Sequence, residues 1–431
     1  MMNPELLERI RQQFDYAPFP STPLEDSPRN DRGNLFNYSL VTPYYLHHRQ
    51  VVDTRDRSIL DVGCGTGMST LKLAEANPGA QILGIDISEE SVNLARKRLQ
   101  YHGSEAEVAV YNLYDLPSLN QQFDYINCDE VLYLLPDPAT ALQIMGSVLK
   151  ADGILHANFH DRYQQRYITN AQTLFGMLEL LDENPQDFEI DIVVETMRSL
   201  RDTSVMKRFG WSPSYEDQRE DILHRYLTVH DQGINIPEMF SLLKQAGLHF
   251  TRMVNGRQWQ LIDLFQDPDH LPDYWQENLD KLSVEQQLYF FELLMPIHRL
   301  LDMWCSPAAS ASSTSINWDT ATIHLHPQLQ DETVLQAIQQ SCATQKSVNL
   351  SPFFETQPSE AIAIDSQLAA TLLPLWEGPQ SFHTLSQRYS TLNPLDPITL
   401  APVTPADIAE PLQQQLSRLE ALPLILAESG T

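Results

Sequence analysis

The chain contains 431 residues, and its 57 acidic and 28 basic residues give a formal net charge of −29. An acidic chain without a basic patch repels phosphate backbones, so we expect no nucleic acid partner. Four scattered cysteines with no C-x-x-C pair indicate neither a zinc site nor a disulfide framework. No apolar run approaches the roughly 18 residues that cross a bilayer, and the first residues lack the apolar core of a signal peptide. We therefore expect a soluble, cytoplasmic protein with no membrane partner.

The first 160 residues alternate between strand and helix patterns. Residues 1–57 are expected to form an N-terminal helical segment and lid, and residues 58–160 the core. Ser88 is the expected N-cap of the second core helix. The core pattern predicts strands at 58–62, 81–87, 106–113, 123–132 and 154–160, and helices at 68–77, 88–103 and 138–153. Such alternation predicts an α/β fold in which helices cover both faces of a parallel sheet and ligands bind at the carboxyl ends of its strands.

The second part of the chain interrupts this pattern and then completes it. Residues 161–231 form an acidic, mostly helical insertion that is expected to cover the ligand face. Residues 232–265 are expected to form a helix and an antiparallel strand pair, which returns the chain to the sheet. Residues 266–315 are expected to be helical and to end in a Ser-rich linker. Residues 316–431 are expected to form a mixed α+β C-terminal domain that binds a substrate or partner.

Three alternating glycines follow the first strand in "DVGCGTG" (61–67). A phosphate-binding loop would continue with Lys and then Ser or Thr, where this chain has Met68 and Ser69. The alternation also breaks the G-x-G-x-x-G dinucleotide spacing. Asp86 ends the next strand, where its carboxylate can accept hydrogen bonds from two ribose hydroxyls. The loop and the acid together indicate an amino-acid-bearing nucleoside rather than a pyrophosphate.

Three segments carry a family resemblance. "ILDVGCGTG", "ILGIDIS" and "VLKADGIL" resemble, in order and spacing, the first, second and late motifs of class I S-adenosylmethionine-dependent methyltransferases. The match covers residues 58–160, and residues 232–265 are similar to the last helix and strand pair of that family. The resemblance implies a Rossmann-like methyltransferase sheet and S-adenosylmethionine as the cofactor.

The resemblance also implies cofactor contacts. The three glycines would line the methionine and ribose parts, Asp61 would orient the amino group through the loop or water, and Asp86 would hold the ribose. The acidic residue that this family places near the adenine amine is replaced by Asn112, whose carbonyl can still accept a hydrogen bond. Asn127 would face the transferable methyl group. The full predicted cofactor set is Asp61, Gly63, Cys64, Gly65, Gly67, Asp86, Ile87, Asn112, Leu113 and Asn127.

The catalytic candidates follow the fourth and fifth strands. Alignment supplies most of the rate of methyl transfer, and a base is needed only where the acceptor holds a proton. The candidates are Asn127, Asp129, Glu130, Asn158 and His160. Each acid can instead cap a turn, and the histidine can instead be a hydrogen-bonded rim residue; both alternatives stay open.

Three tyrosines are candidates for substrate binding. Tyr133 follows the fourth strand, while Tyr44 and Tyr45 lie on an N-terminal helix, where they either face a sulfonium or belong to the core. His324 and His326 alternate on one strand, but no third ligand is nearby in the sequence, so we expect no metal.

The substrate class is suggested by segments outside the core motifs. "FDYAPFPSTPLEDSP", "NYSLVTPYYL", "FDYINCDEVLYLLPDP" and "LLPLWEGPQSF" resemble the cyanobacterial phycobiliprotein asparagine methyltransferases. The layout is also similar to bacterial protein-lysine methyltransferases with a winged-helix-like C-terminus. Both resemblances imply a protein substrate, the first of them the phycobiliprotein β subunit. A small-molecule methyltransferase and a non-catalytic cofactor-binding protein are the alternatives, since insertions after the fifth strand also form small-molecule lids.

Overall fold

The computed structural model describes residues 4–309, 316–353, 362–392, 394–395 and 401–430. The strands are β1 (Ser58–Val62), β2 (Gln81–Asp86), β3 (Glu107–Val110), β4 (Phe123–Cys128), β5 (Leu149–His160), β6 (His249–Met253), β7 (Leu300–Ser306), β8 (Thr322–Leu325), β9 (Val348–Asn349), β10 (Ala363–Ile364), β11 (Gln380–Ser381) and β12 (Ile425–Glu428). The α-helices are α1 (Pro4–Tyr16), α2 (Arg32–Tyr38), α3 (Val41–His48), α4 (Met68–Ala76), α5 (Glu89–His102), α6 (Pro138–Ser147), α7 (Arg166–Met177), α8 (Asp187–Ser199), α9 (Val205–Gly210), α10 (Arg219–Tyr226), α11 (Ile236–Ala246), α12 (Asp273–Gln276), α13 (Val284–Leu294), α14 (Glu332–Thr344), α15 (Ser366–Leu372), α16 (Phe382–Leu392) and α17 (Pro405–Ala421).

The first unit, which spans residues up to 28 and 55–309, is built on one sheet. Its strand order is β3-β2-β1-β4-β5-β7-β6. The first five strands run parallel, and β7 enters antiparallel between β5 and β6. The predicted α/β fold is therefore confirmed, with the carboxyl ends of β1, β2, β4 and β5 at one edge.

The sheet receives its last strand from a segment that the sequence analysis misplaced. Residues 256–264 form short 3-10 helices rather than the second strand expected there. The strand that pairs with β6 is β7, which lies in the region expected to be helix and linker. The segment of β7, "LLDMWCS", is almost wholly buried because both of its edges are paired.

Local sequence signals set several helix ends around this sheet. The Ser88 hydroxyl accepts from the Ser91 N–H at 3.0 Å, which confirms it as the N-cap of α5. Gly103 ends that helix in the left-handed conformation. Asn235 and Glu238 form a reciprocal capping box at the start of α11. The insertion is helical as expected, since α7 to α10 lie between 161 and 231.

The second unit spans residues 29–54 together with the described residues from 316 onward. Its three-stranded antiparallel sheet has the order β11-β8-β12, and the helices α14 to α17 belong to the same unit. The mixed α+β character expected of the C-terminal domain is confirmed. The N-terminal segment 1–57 is not one lid, however, because α2 and α3 belong to this second unit.

Tyr44 and Tyr45 follow α3 into the second unit. Tyr45 is fully buried, its hydroxyl lies 2.8 Å from Glu420 Oε1, and it accepts the Ala427 N–H at 3.0 Å. The Tyr44 ring packs on His48. Of the two alternatives left open by the sequence, these contacts favour the core, because both tyrosine side chains are buried within this unit. No helix in the described ranges is long and apolar enough to span a bilayer.

Candidate active site

The glycine loop joins β1 to α4 and has left-handed backbone at all three glycines, with φ of 72°, 50° and 87° at Gly63, Gly65 and Gly67. L-residues with a side chain rarely adopt these angles. A Cβ on Gly63 would lie 2.3 Å from Val131 Cγ2, and one on Gly65 would lie 2.2 Å from the carbonyl oxygen of Phe19. The glycines therefore let the segments around Phe19 and Val131 approach the loop closely.

Asp86 ends β2 beside this loop. Its Oδ2 accepts from the Gly65 N–H at 3.0 Å, and its Oδ1 accepts from the Ser88 N–H at 2.8 Å. Burial raises its pKa to about 6, although both backbone N–H groups act in the opposite direction. A carboxylate offers about four lone-pair sites, so two remain for a vicinal diol.

Asp61 lies beneath the loop rather than in contact with a ligand. It is buried, and its carboxylate accepts from Ser69 Oγ at 2.7 Å, Thr70 Oγ1 at 2.6 Å and Asn127 Nδ2 at 2.7 Å. Burial raises its pKa above the usual value, and these three donors counteract the rise. Asp61 thus fixes the start of α4 against β1 and β4, which agrees with a role through the loop.

Asn127 is also wholly buried, and both ends of its amide are used. Asn127 Nδ2 donates to Asp61, and Asn127 Oδ1 lies 2.6 Å from His156 Nδ1. On the other side of the imidazole, His156 Nε2 lies 2.7 Å from Asp302 Oδ1. Burial alone would lower the pKa of His156, but the Asp302 carboxylate raises it above the usual value. The expectation that Asn127 faces the methyl group is corrected: it connects Asp61 to His156 across β4 and β5.

Asn158 has a similar internal role. It is fully buried, its Nδ2 donates to Asp129 Oδ1 at 2.5 Å, and its Oδ1 accepts the Glu130 N–H at 2.9 Å. The two contacts hold the turn after β4 in place. Asn158 is therefore corrected from a catalytic candidate to a residue that positions Asp129 and Glu130.

The remaining cofactor candidates are found around the same edge. The side-chain carbonyl of Asn112 accepts a hydrogen bond from the Tyr114 N–H at 3.0 Å and so caps the 3-10 helix that begins at Leu113. One lone pair of this oxygen is left to accept from an adenine amine. Leu113 is buried and Ile87 is half-buried. Burial raises the pKa of the Cys64 thiol well above its usual value, so this thiol stays protonated.

A cavity of about 250 Å³ lies next to the loop within the first unit. Two of its lining residues adjoin the loop. Phe19 contacts Gly65 through its backbone carbonyl, and Glu130 precedes Val131, whose side chain packs against Gly63. The insertion supplies more than half of its walls. The lining residues are Phe14, Phe19, Glu130, Tyr133, Leu134, His160, Gln165, Ile168, Tyr215, Asp221, His224, Arg225, Thr228, Asp231 and Arg299.

Five side chains form a charged cluster on the wall of this cavity. His160 Nδ1 lies 2.9 Å from Asp231 Oδ1, and its Nε2 lies 3.2 Å from Arg299 Nη1. Arg299 donates through both terminal nitrogens to Glu130, to which Tyr133 also donates at 2.8 Å. The Tyr133 ring stacks on the His160 imidazole with centroids 3.7 Å apart. The predicted residues Glu130, Tyr133 and His160 are thus brought together.

Glu130 adopts a φ of 61°, which is uncommon for a residue with a side chain. Backbone strain of this kind persists only where surrounding contacts enforce it, and it concentrates at functional sites. Here the Glu130 N–H donates to the side-chain carbonyl of Asn158, and the Glu130 carboxylate accepts from Arg299. The turn after β4 therefore points this acid into the cavity at a conformational cost.

Sequence reasoning missed Asp231, Arg299, His156 and Asp302. Arg299 reaches the site because β7 pairs antiparallel with β5 and places Leu300 opposite His160. Asp231 is positioned by the following residues, since the Ile234 N–H donates to the His160 carbonyl at 3.0 Å. The apolar run "LLDMWC" is a strand signal that could have revealed β7, whereas "VHDQG" offers no local signal for Asp231. Among the described residues, no group of three or more His, Cys, Asp or Glu is placed to hold a metal ion.

Comparison with known proteins gives this site a family. Residues 53–226 match the protein family described as "Methyltransferase domain". An uncharacterized protein of Synechococcus sp. is 30% identical over 304 residues, which cover 68% of this chain and 70% of that protein. The chain belongs to the family of that protein. The ubiquinone biosynthesis O-methyltransferase of Actinobacillus pleuropneumoniae is 30% identical over 138 residues, 31% of this chain and 58% of that enzyme.

A solved structure shares the fold over nearly the whole chain. The PKMT2 protein of Rickettsia typhi superposes with a TM-score of 0.57 and 14% identity, covering 95% of this chain and 78% of that protein. A second structure of PKMT2 is a complex with AdoHcy. Our chain is an S-adenosylmethionine-dependent methyltransferase. The motif resemblance is therefore confirmed at the level of the class I family.

The residues present at the edge of the sheet fit this cofactor. In the methyltransferase, two lone pairs of Asp86 remain for the ribose diol, and the glycine loop leaves its backbone bare of side chains. Leu113 would offer an apolar contact for the adenine. When bound, S-adenosylmethionine supplies an electrophilic methyl group on a sulfonium.

Proposed function

We propose that this methyltransferase modifies a side chain of another protein, and that the acceptor is the amide nitrogen of an asparagine in a phycobiliprotein β subunit. The observation that carries the proposal is the size of the cavity beside the glycine loop. Pockets for whole small molecules usually measure about 300–1,000 Å³, and this cavity of about 250 Å³ suits one inserted side chain.

The chemistry of the cavity wall supports an amide. An amide presents an N–H donor and a carbonyl acceptor on one planar group. Glu130 and Asp231 offer carboxylate oxygens, while Arg299 carries N–H donors. An amide nitrogen is a poor nucleophile, so a general base beside it is needed to accept its proton.

A small hydroxylated compound is the second candidate. In the part of the chain that the structure describes, the residues lining the cavity all belong to the first unit. The relatives named ubiquinone biosynthesis O-methyltransferase match over only 31–32% of this chain. These two observations favour an acceptor that needs no protein docking.

The deciding experiment is mass spectrometry of unmethylated phycocyanin β subunit after incubation with the enzyme and S-adenosylmethionine. The proposal expects a gain of one methyl group on an asparagine, with no gain when the Asp86→Ala variant is used. No gain, in a preparation that still binds S-adenosylmethionine by calorimetry, would overturn it. The same assay with a catechol then tests the second candidate.

A further inference from the structure

One ring nitrogen of His160 faces a hydrogen-bond acceptor and the other faces a hydrogen-bond donor. Nδ1 lies 2.9 and 3.1 Å from the two oxygens of Asp231, which can only accept when ionised. Nε2 lies 3.2 Å from Arg299 Nη1, which can only donate. The two neighbours therefore select one neutral tautomer, with the proton on Nδ1 and a lone pair on Nε2.

Asp231 is itself held in place. Gln172 Nε2 donates to its Oδ2 at 3.0 Å, and the following Gln232 N–H donates to the Tyr133 carbonyl at 3.0 Å. The Tyr133 ring stacks on the imidazole and prevents it from rotating freely. A base whose partner is fixed by a third group has the arrangement that proton transfer requires.

We propose that His160 is the general base of the reaction and that Asp231 is its positioning residue. The acceptor lone pair forms the new bond to the methyl carbon, and the electron pair of the breaking C–S bond stays on sulfur. The proton of the acceptor N–H or O–H passes to His160 Nε2 once the acceptor replaces the Arg299 N–H that this lone pair accepts, and Arg299 keeps its bonds to Glu130. The acceptor class is therefore one that bears a proton, which excludes tertiary amines and thioethers.

Charged side chains lie beside both ring nitrogens of His160. Asp231 faces Nδ1 directly, and Glu130 Oε2 lies 3.8 Å from Nε2. The Arg299 guanidinium, which also lies beside Nε2, is paired with Glu130. Tyr133 is neutral because burial raises its pKa well above the usual value.

The first test needs no acceptor and so does not depend on the proposed function. Nitrogen NMR of the wild-type protein should show His160 protonated at Nδ1 and unprotonated at Nε2, the signal being assigned by its loss in His160→Gln. Asp231→Asn should disturb this tautomer, because the amide can donate as well as accept. A proton resident on Nε2 in the wild-type protein would overturn the proposal.

The second test is kinetic, with whichever of phycocyanin β subunit and catechol the wild type methylates. His160→Gln should lower kcat about 10²–10⁴-fold. Its affinity for S-adenosylmethionine should be unchanged in calorimetry. His270→Gln is the matched control, since His270 makes a similar 2.9 Å pair with Asp267 on the surface. Retention of wild-type kcat by His160→Gln would refute the assignment even if protein methylation is confirmed.

Discussion

Asn127 Nδ2 donates to Asp61 Oδ1 at 2.7 Å, and this bond ties β4 to β1 directly beneath the glycine loop. Replacing Asn127 with Ala removes the amide from two buried partners, Asp61 and His156. Each buried polar group left unpaired costs about 1–3 kcal/mol. We expect Asn127→Ala to lower the free energy of unfolding in urea accordingly, and to weaken cofactor binding only indirectly.

The control for this variant is Asn278→Ala, since the Asn278 amide donates to the Tyr274 carbonyl and accepts from Lys281 Nζ through exposed hydrogen bonds in the region after β6. It should leave the unfolding free energy nearly unchanged. A fully stable Asn127→Ala protein that has lost cofactor affinity would show instead that the side chain contacts the ligand, as the sequence analysis expected.

The contact between Gly65 and the Phe19 carbonyl predicts the effect of a single methyl group. Gly65→Ala should both strain a backbone at φ 50° and force a Cβ into an atom 2.2 Å away. Gly103→Ala separates the two effects, because it has φ 66° but no neighbour within 4 Å. We expect Gly103→Ala to cost about 1–2 kcal/mol from conformation alone.

Gly65→Ala should cost clearly more than that and should loosen the segment around Phe19. Limited proteolysis of residues 17–24 measures the loosening, since the Thr66 N–H donates to the Phe19 carbonyl in the same contact. Equal protection from protease in both variants would mean that the close approach does not hold this segment.

The environment of Asp86 predicts how cofactor binding depends on pH. Its pKa is raised to about 6 by burial, so the carboxyl gains a proton as the pH falls through 6. A protonated carboxyl is a poorer acceptor for ribose hydroxyls. Calorimetry should therefore show S-adenosylmethionine affinity that is constant above pH 7 and declines below pH 6. Asp86→Asn should bind weakly with no such decline, and a wild-type affinity that does not change between pH 5 and 8 would contradict this assignment.

The parts of the site that sequence could predict are those formed by contiguous segments. The glycine loop, Asp86 and the Ser88 cap each depend on residues within about thirty positions, and the alternation of strands places them at one edge. The cluster in the cavity could not be predicted in the same way. Arg299 lies 139 residues from His160, and their contact depends on the pairing of β7 with β5.

Residue type alone also failed to separate ligand contacts from internal support. Asn127 and Asn158 follow the pattern of active-site amides at strand ends, yet both are fully buried and bonded to other side chains. Asn158 and His160 share one face of β5, because side chains two residues apart on a strand point the same way. The difference is that His160 ends the strand, whereas Asn158 lies two residues inside it. The sequence indicates that difference only once the end of the strand is correctly placed.

The location of Tyr45 in the second unit predicts a local effect for Tyr45→Phe. The change leaves the Ala427 N–H and Glu420 without their hydroxyl partner. We expect faster hydrogen exchange in β12 and unchanged exchange in β1 to β5, with the same affinity for S-adenosylmethionine. Tyr101→Phe is the control, since Tyr101 is 64% exposed. A reduced cofactor affinity in Tyr45→Phe would restore the original expectation of a contact with the methyl donor.

A buried pair of carboxyl groups predicts the pH dependence of stability. Burial and the neighbouring Asp161 raise the pKa of Glu292, which is almost wholly buried and accepts the Ile236 N–H. Between the ordinary glutamate pKa and this raised value, the folded protein holds a proton that the unfolded chain has released. Stability is therefore highest at low pH in this window and falls as the pH rises, by up to about 1.4 kcal/mol per pH unit.

Glu292→Gln removes the titrating group while keeping a carbonyl acceptor for the Ile236 N–H. Urea unfolding between pH 6 and 9 should show a falling midpoint for the wild type and a flatter profile for the variant. The half-buried Glu285, in the first turn of the same helix α13, supplies the control Glu285→Gln, which should follow the wild type. If the urea midpoint of the wild type rises or stays constant over this range, Glu292 is ionised in the folded protein and its pKa is not raised by Asp161 and burial.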